Sequence, residues 1–162
     1  MLFRSGQKTG YFLDQRENRL AAAAYAGGRR VLDCFCHSGM FGIAAARAGA
    51  SSVLGVDIDP NALSLAARNA ALNGVAGICR FAEANCFDFL RASVEEGQQF
   101  DLIILDPPAF TKSKLRVEQA LRGYKEINLR AIRLLSPQGI LVTCSCSHHV
   151  SPALFQEVVE EK

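Results

Sequence analysis

Val31-Leu32-Asp33-Cys34-Phe35-Cys36-His37-Ser38-Gly39-Met40-Phe41-Gly42 is the stretch whose reading decides the fold. Residues 31–35 form a short apolar run with one acid, the pattern of a buried strand. His37-Ser38-Gly39 is a turn of small and polar residues. Residues 40–48 are rich in helix formers, and Gly49 stops them. Strand, tight turn and helix in that order make a ligand-binding unit of an open α/β sheet. Gly39 stands where a ligand can approach the backbone closely. The turn is not the G-x-G-x-x-G phosphate loop, because only one of its turn glycines finds a match. A pyrophosphate cofactor is therefore disfavoured, and with it a nicotinamide-dependent oxidoreductase.

The same alternation extends outward. Residues 1–12 read as a loop. Asp14 can cap a helix running to about residue 25, closed by Gly27-Gly28. Further strands are expected at 52–56, 78–82, 100–105 and 140–144. Helices are expected at 61–73, 87–96, 117–135 and from 153 to 161. Residues 107–116 read as a loop, and Pro137-Gln138-Gly139 as a turn before the last strand. Residues 100–105 are continuously apolar, as in a strand covered on both faces. Helices between successive strands imply a mostly parallel sheet with right-handed crossovers. The fold class is α/β, Rossmann-like. Residues 1–30 are expected to lead into a core at 31–162, with no internal repeat, low-complexity tract or second domain.

A chain of 162 residues, 49% hydrophobic, suits one domain with a substantial core. Eighteen basic and sixteen acidic residues leave a net charge of +2, so bulk charge does not announce nucleic acid. The basic residues do cluster: Arg116, Arg122, Lys125, Arg130 and Arg133 share a stretch with Lys112 and Lys114. That cluster suits either a solvated helix face or a phosphate-facing one. No apolar run reaches the roughly 20 residues of a membrane span. The amino terminus does not resemble a secretory signal, so the six cysteines read as reduced thiols of a cytoplasmic protein.

Five strands carry chemistry at or near their carboxyl ends. Asp33 lies in the first strand and Asp57 ends the second, and an acid at the second can accept from both hydroxyls of a ribose. A strand-end Asp is often only a helix cap, but with Asp33 and the turn at Ser38-Gly39 the ligand reading prevails. Asp59 reads as the cap of the following helix. Asn85, at the third strand end, can bond an adenine edge, cap a helix, or do both. Asp106-Pro107-Pro108-Ala109 follows the fourth strand, and Ser145-Cys146-Ser147 follows the fifth. Ligands gather beyond the carboxyl ends of such strands, so an acid and a thiol face one crevice. Tandem prolines either make a rigid turn or free carbonyls to accept from an exocyclic amine. Phe110 can stack on a base or pack in the loop. Tyr124 can reach the base or the core, and Lys125 a phosphate. Cys144 competes with Cys146 and would share its face if the strand continued. Cys34-x-Cys36 and Cys144-x-Cys146 lack the spacing of a zinc ribbon, so no metal is expected.

Taken in order, these residues resemble a class I S-adenosylmethionine-dependent methyltransferase. The likeness is closer when Gly6-Gln7-Lys8-Thr9-Gly10-Tyr11-Phe12-Leu13-Asp14-Gln15-Arg16, Asp106-Pro107-Pro108-Ala109-Phe110, Arg122-Gly123-Tyr124-Lys125-Glu126-Ile127-Asn128 and Ser145-Cys146-Ser147 are read together. They resemble the bacterial large-subunit ribosomal RNA (cytosine-C5)-methyltransferase family across nearly the whole chain. The Asp-Pro-Pro segment is shared far more widely than the other three. The resemblance implies S-adenosyl-L-methionine as cofactor, held by Lys8, Thr9, Tyr11, Asp33, Ser38, Gly39, Asp57, Asn85 and Asp106. It implies ribosomal RNA as substrate. Pro107, Phe110, Tyr124 and Lys125 are the candidate contacts to that substrate, and a homodimer is a further candidate assembly. The third strand end usually carries Asp in that family, and here it is Asn85. Family members also carry an RNA-binding domain of the PUA type and two last strands that this sequence lacks, so it is expected to be a catalytic core fragment.

The implied chemistry is specific. Cytosine C5 is a poor nucleophile, and addition of a thiolate to C6 makes it enamine-like. Cys146 is the implied nucleophile, and Asp106 the group that bonds or protonates N3. The thiol must ionise to attack, and His148 or His149 can assist if either is near. Two rivals stand beside this reading. A methyltransferase acting on a base nitrogen would leave Cys146 incidental, and a silent cofactor-binding module would transfer nothing.

Overall fold

The computed structural model describes residues 15–111 and 113–160, with Lys114 described in its backbone alone. The expected loop at 1–12 and the Asp14 cap lie outside those residues. Elements alternate as expected: α1 (Arg16–Ala23), β1 (Arg30–Cys34), α2 (Met40–Arg47), β2 (Ser52–Asp57), α3 (Pro60–Leu72), β3 (Cys79–Glu83), α4 (Cys86–Glu95), β4 (Phe100–Leu105), α5 (Val117–Leu134), β5 (Leu135–Thr143) and α6 (Pro152–Glu160). A single 3-10 turn at Lys114–Arg116 interrupts the expected loop before α5.

The five strands form one sheet in the order β3-β2-β1-β4-β5, and every pairing is parallel. Chain order reverses between β1 and β4, which is the switch point where such sheets open a crevice. Side chains alternate across the sheet. Val31, Val53, Leu102 and Ile104 meet α1 and α2 in one core, with Ala22, Phe41 and Ile43. Leu32, Cys34, Ile103 and Leu105 meet α4 and α5 in the other, with Leu90, Tyr124 and Ile127. Leu102 to Leu105 are all 0% exposed, which is why that stretch reads as continuously apolar.

One sequence expectation changes. The Pro137-Gln138-Gly139 turn lies within β5 rather than before it. Pairing jumps from Phe100–Leu135 to Leu102–Ile140, so residues 136–139 stand outside the regular ladder. Gln138 takes a left-handed φ of 64° there, as an irregular excursion requires.

Gly39 is closely packed. Its φ is 75°, and a Cβ built there would lie 2.9 Å from Ala66 Cβ and 3.0 Å from Phe81 Cε1. Interior packing and a left-handed backbone both demand this glycine. Gly39→Ala is expected to lower stability by roughly 2–4 kcal/mol, combining left-handed strain with overpacking. A urea midpoint unchanged from wild type would contradict that packing account.

Candidate active site

Strand register assembles the crevice. Cys34 lies opposite Leu105, and Leu105 opposite Thr143. The residues just beyond are laced across the strand ends. Cys144 N–H donates to Leu105 O at 2.8 Å, Cys36 N–H to Val56 O at 3.0 Å and Ala84 N–H to Asp57 O at 2.9 Å. Asp33, Asp57, Asp106 and the Cys144–Ser147 loop consequently lie along one edge of the sheet.

Asp33 is 1% exposed. Its Oδ2 accepts from Gly42 N–H at 2.8 Å, across the first turn of α2. Its Oδ1 is buried and finds no hydrogen-bond partner among the described residues. Burial pushes its carboxyl up to about 7, and the charges of Asp106 and Asp57 add to the rise. Three carboxylates therefore repel one another around the crevice. Asp57 is half-buried and clamps the turn, accepting from His37 N–H at 2.8 Å and from Asp59 N–H at 3.0 Å. His37 has φ 46° and Phe35 has φ 60°, so the carboxylate holds a strained backbone. Each carboxylate oxygen keeps a second lone pair for a ligand hydroxyl. Ser38 is buried, and its carbonyl accepts from Asn69 Nδ2 at 3.1 Å. Asn85 is exposed and caps α4, its Oδ1 accepting from Phe87 N–H at 2.9 Å. Lys8, Thr9 and Tyr11 lie outside the described residues.

Asp106 accepts from Gln15 Nε2 at 3.3 and 3.4 Å. Sequence reasoning missed Gln15 in this role, since 91 positions separate the two. Pro107 is buried, and its carbonyl lies 3.6 Å from Cys146 Sγ, which donates to it. Cys146 is exposed, whereas Cys144 is half-buried. The two do not continue a strand face, because β5 ends at Thr143. Burial pushes the Cys144 thiol up to about 12, with Asp106 and Asp33 adding to the rise. Burial, with the charge of Asp33 adding to it, also raises Cys36 and Cys79, and a hydrogen bond with Cys86 together with burial raises Cys34. The histidines 148 and 149 pack edge to face at 5.4 Å from each other.

Tyr124 is 0% exposed, so it belongs to the core and not to a base-contacting surface. Its hydroxyl lies 2.9 Å from Ser147 Oγ and accepts from Ser145 Oγ at 3.0 Å. Ser147 Oγ also accepts from Phe110 N–H at 3.2 Å. The half-buried Phe110 ring packs on Tyr124 at 4.6 Å and on Phe87 at 5.6 Å. Lys125 is half-buried beside a groove of about 350 Å³ that Arg122, Leu129, Arg130 and Arg133 line with Glu126. Arg130 is engaged there, donating to Phe87 O and pairing with Glu126. Among the described residues no group of three or more His, Cys, Asp or Glu can hold a metal ion, and no helix is long and apolar enough to cross a membrane.

This crevice has known counterparts. The model of a family described as S-adenosylmethionine-dependent methyltransferase matches residues 2–162. The chain belongs to that family. As a family member it is similar to ribosomal RNA large subunit methyltransferase I of Aeromonas hydrophila, at 48% identity over 98% of this chain and 40% of that protein. The protein of the same name from Tolumonas auensis is 48% identical over the same shares. The chain thus spans about two fifths of the length of the curated relatives it matches. Among solved structures, a Streptococcus mutans protein described as a SAM-dependent methyltransferase superposes with a TM-score of 0.85 at 25% identity, over 97% of this chain and 41% of that one. Thermus thermophilus TrmN superposes at 0.69 with 27% identity, over 88% of this chain and 40% of that one.

The family's cofactor is S-adenosylmethionine, and the site suits its charge. That molecule carries a cationic sulfonium and an ammonium. The crevice offers three mutually repelling carboxylates and the orphaned Asp33 Oδ1, all of which a cation relieves.

Two outcomes follow from this geometry. The ordinary carboxyl value of Asp33 is 3.8 and its folded value about 7. Between them the folded chain keeps a proton that the unfolded chain has lost, so the Asp33 contribution to stability falls as pH rises, then levels above about 7. Asp33→Asn keeps an acceptor for Gly42 and should flatten that slope, as thermal melts from pH 4 to 8 would reveal. Iodoacetamide at pH 8 should label Cys146 well ahead of Cys34, Cys36, Cys79, Cys86 and Cys144 in the folded chain, because it alone among the six is exposed. Peptide mass mapping reads the order, and earlier labelling of Cys144 would reverse the assignment.

Proposed function

We propose that the chain is the catalytic core of an RNA methyltransferase that acts on C5 of a cytosine in ribosomal RNA. The observation that carries this reading is the contact of the exposed Cys146 Sγ with the Pro107 carbonyl, within the turn that begins at Asp106. The relatives named as ribosomal RNA large subunit methyltransferases support the RNA class. Residues 31–162 form the core in this reading, and residues 1–30 lead into it. A reaction on ribosomal RNA suits the cytoplasm.

The cofactor supplies an electrophilic methyl group on its sulfonium. Asp33, Ser38, Asp57 and Asn85 would hold it beyond β1, β2 and β3, with Gly39 setting the turn and Lys8, Thr9 and Tyr11 as further contacts. Cys146 Sγ, as thiolate, forms a bond to C6 of the pyrimidine and makes C5 nucleophilic. A proton shared between Asp106 and N3 stabilises the electron density that addition pushes onto the ring. After C5 is methylated, its proton leaves to a base, the C6–S bond breaks, and the thiolate is restored. The Pro107 carbonyl can accept from the exocyclic amine of cytosine, which a uracil lacks. Phe110 flanks the base, and Lys125, with Arg122 and Arg133, meets phosphates along the outer face of α5.

The Pro107 carbonyl equally suits a reaction on an exocyclic nitrogen, and the thiol separates the two chemistries. Cys146→Ala should abolish tritium transfer from labelled S-adenosylmethionine to large-subunit ribosomal RNA, by at least about 1000-fold. It should leave S-adenosylhomocysteine affinity within about twofold, since the thiol serves the base and not the cofactor. Undiminished transfer would sink covalent catalysis and leave the nitrogen reaction. Cofactor binding with no transfer by the wild-type protein would favour a silent module.

A further inference from the structure

Cys146 follows the end of β5, on a loop that no strand pairing holds. Short loops with an exposed side chain usually sample many positions. Here both neighbours of the thiol are tied to one buried atom. Ser145 Oγ donates to Tyr124 Oη at 3.0 Å, and Ser147 Oγ lies 2.9 Å from the same oxygen. Ser147 Oγ then accepts from Phe110 N–H at 3.2 Å. One hydroxyl, fixed in the middle of α5, thus holds the serine on each side of the thiol. Through Ser147 it also holds the far end of the Asp106-Pro107-Pro108-Ala109 turn. Tyr124 cannot move to compensate: it is 0% exposed, its ring packs on Phe110 at 4.6 Å and Phe155 at 5.2 Å, and its carbonyl accepts from Asn128 Nδ2 at 2.8 Å.

We infer that Tyr124 is a positioning residue, whose buried hydroxyl clasps Ser145 and Ser147 so that Cys146 and the Asp106 turn keep one fixed separation. This rests on the reading of Cys146 as the nucleophile. A clasp of this kind matters because two loops must meet one pyrimidine, the thiol at C6 and the carboxyl at N3. Drift of about 1 Å in either loop costs roughly 100-fold in rate. The arrangement also explains why small hydroxyl residues flank the thiol: each side needs a group short enough to turn back to α5. Tyr124 touches neither base nor cofactor in this role.

Tyr124→Phe keeps the packed ring and removes only the hydroxyl. It should lower kcat for methyl transfer to ribosomal RNA roughly 10–100-fold. S-adenosylhomocysteine affinity should stay within about twofold, because the clasp lies on the substrate side. Iodoacetamide alkylation of Cys146, followed by mass mapping across pH 6–9, should become faster in the variant. A freed loop exposes its thiol while losing its aim, whereas general destabilisation would weaken cofactor binding as well. If Tyr124→Phe does not fold, Ser145→Ala with Ser147→Ala breaks the same bonds from the loop side. Ser147→Thr, which retains a hydroxyl, should restore most of the activity lost in Ser147→Ala. Unchanged kcat and unchanged Cys146 alkylation in both the Phe variant and the double serine variant would overturn the clasp. Alkylation needs no RNA, so a wild-type chain inactive on ribosomal RNA would sink the reading of function and leave the clasp to be judged by alkylation.

Discussion

Parallel register at the switch point is the constraint on which the rest depends. Cys34, Leu105 and Thr143 lie in one row across β1, β4 and β5. All three strands end together, so their following residues leave the sheet side by side. Asp106 and the Cys144–Ser147 loop meet for that reason, although some 40 positions separate them in the chain. The middle strand anchors the row, being apolar and covered on both faces: Ile103, Ile104 and Leu105 are each 0% exposed. A slip of one residue would send that set to the wrong face and part the acid from the thiol.

The crevice so formed works against its own stability. Asp33 is buried, one of its oxygens has no hydrogen-bond partner among the described residues, and two further carboxylates raise its proton affinity. Phe35 and His37 hold left-handed backbone beside it. Such features persist only where the surroundings over-determine them. Here Gly42 N–H, Asp57 and the Cys86 thiol, which accepts from Phe35 N–H at 3.2 Å, hold the turn in place. The unfavourable charge then becomes an asset when a cationic ligand arrives.

Much of this was legible residue by residue. Val31 to Cys34 and Phe100 to Leu105 announce buried strands through their apolar runs. Asp59 and Asn85 announce helix caps, and both act as caps. Asp57 and Asp106 could be placed at strand ends because each follows an apolar run, Asp33 because it interrupts one, and Cys146 because it lies just beyond one. Gly39 was legible as a turn, but its close packing against Ala66 and Phe81 was not, because both lie far along the chain. Tyr124 kept two options in the sequence, and nothing in its neighbours along the chain could choose between base and core. Gln15 gave no signal at all, because its contact with Asp106 spans 91 positions.

By itself the sequence determined the alternation of strands and helices, the turn chemistry at residues 36–39, and which side chains stand at the carboxyl ends of strands. These are local properties, carried by periodicity, capping and backbone preference within a few residues. Only the tertiary structure decided that β4 lies beside β1, that Cys146 rather than Cys144 faces outward, and that one tyrosine hydroxyl binds the serines on both sides of the thiol. Those outcomes depend on how distant segments share one interior, and burial is a property of the packed whole rather than of any window of the chain.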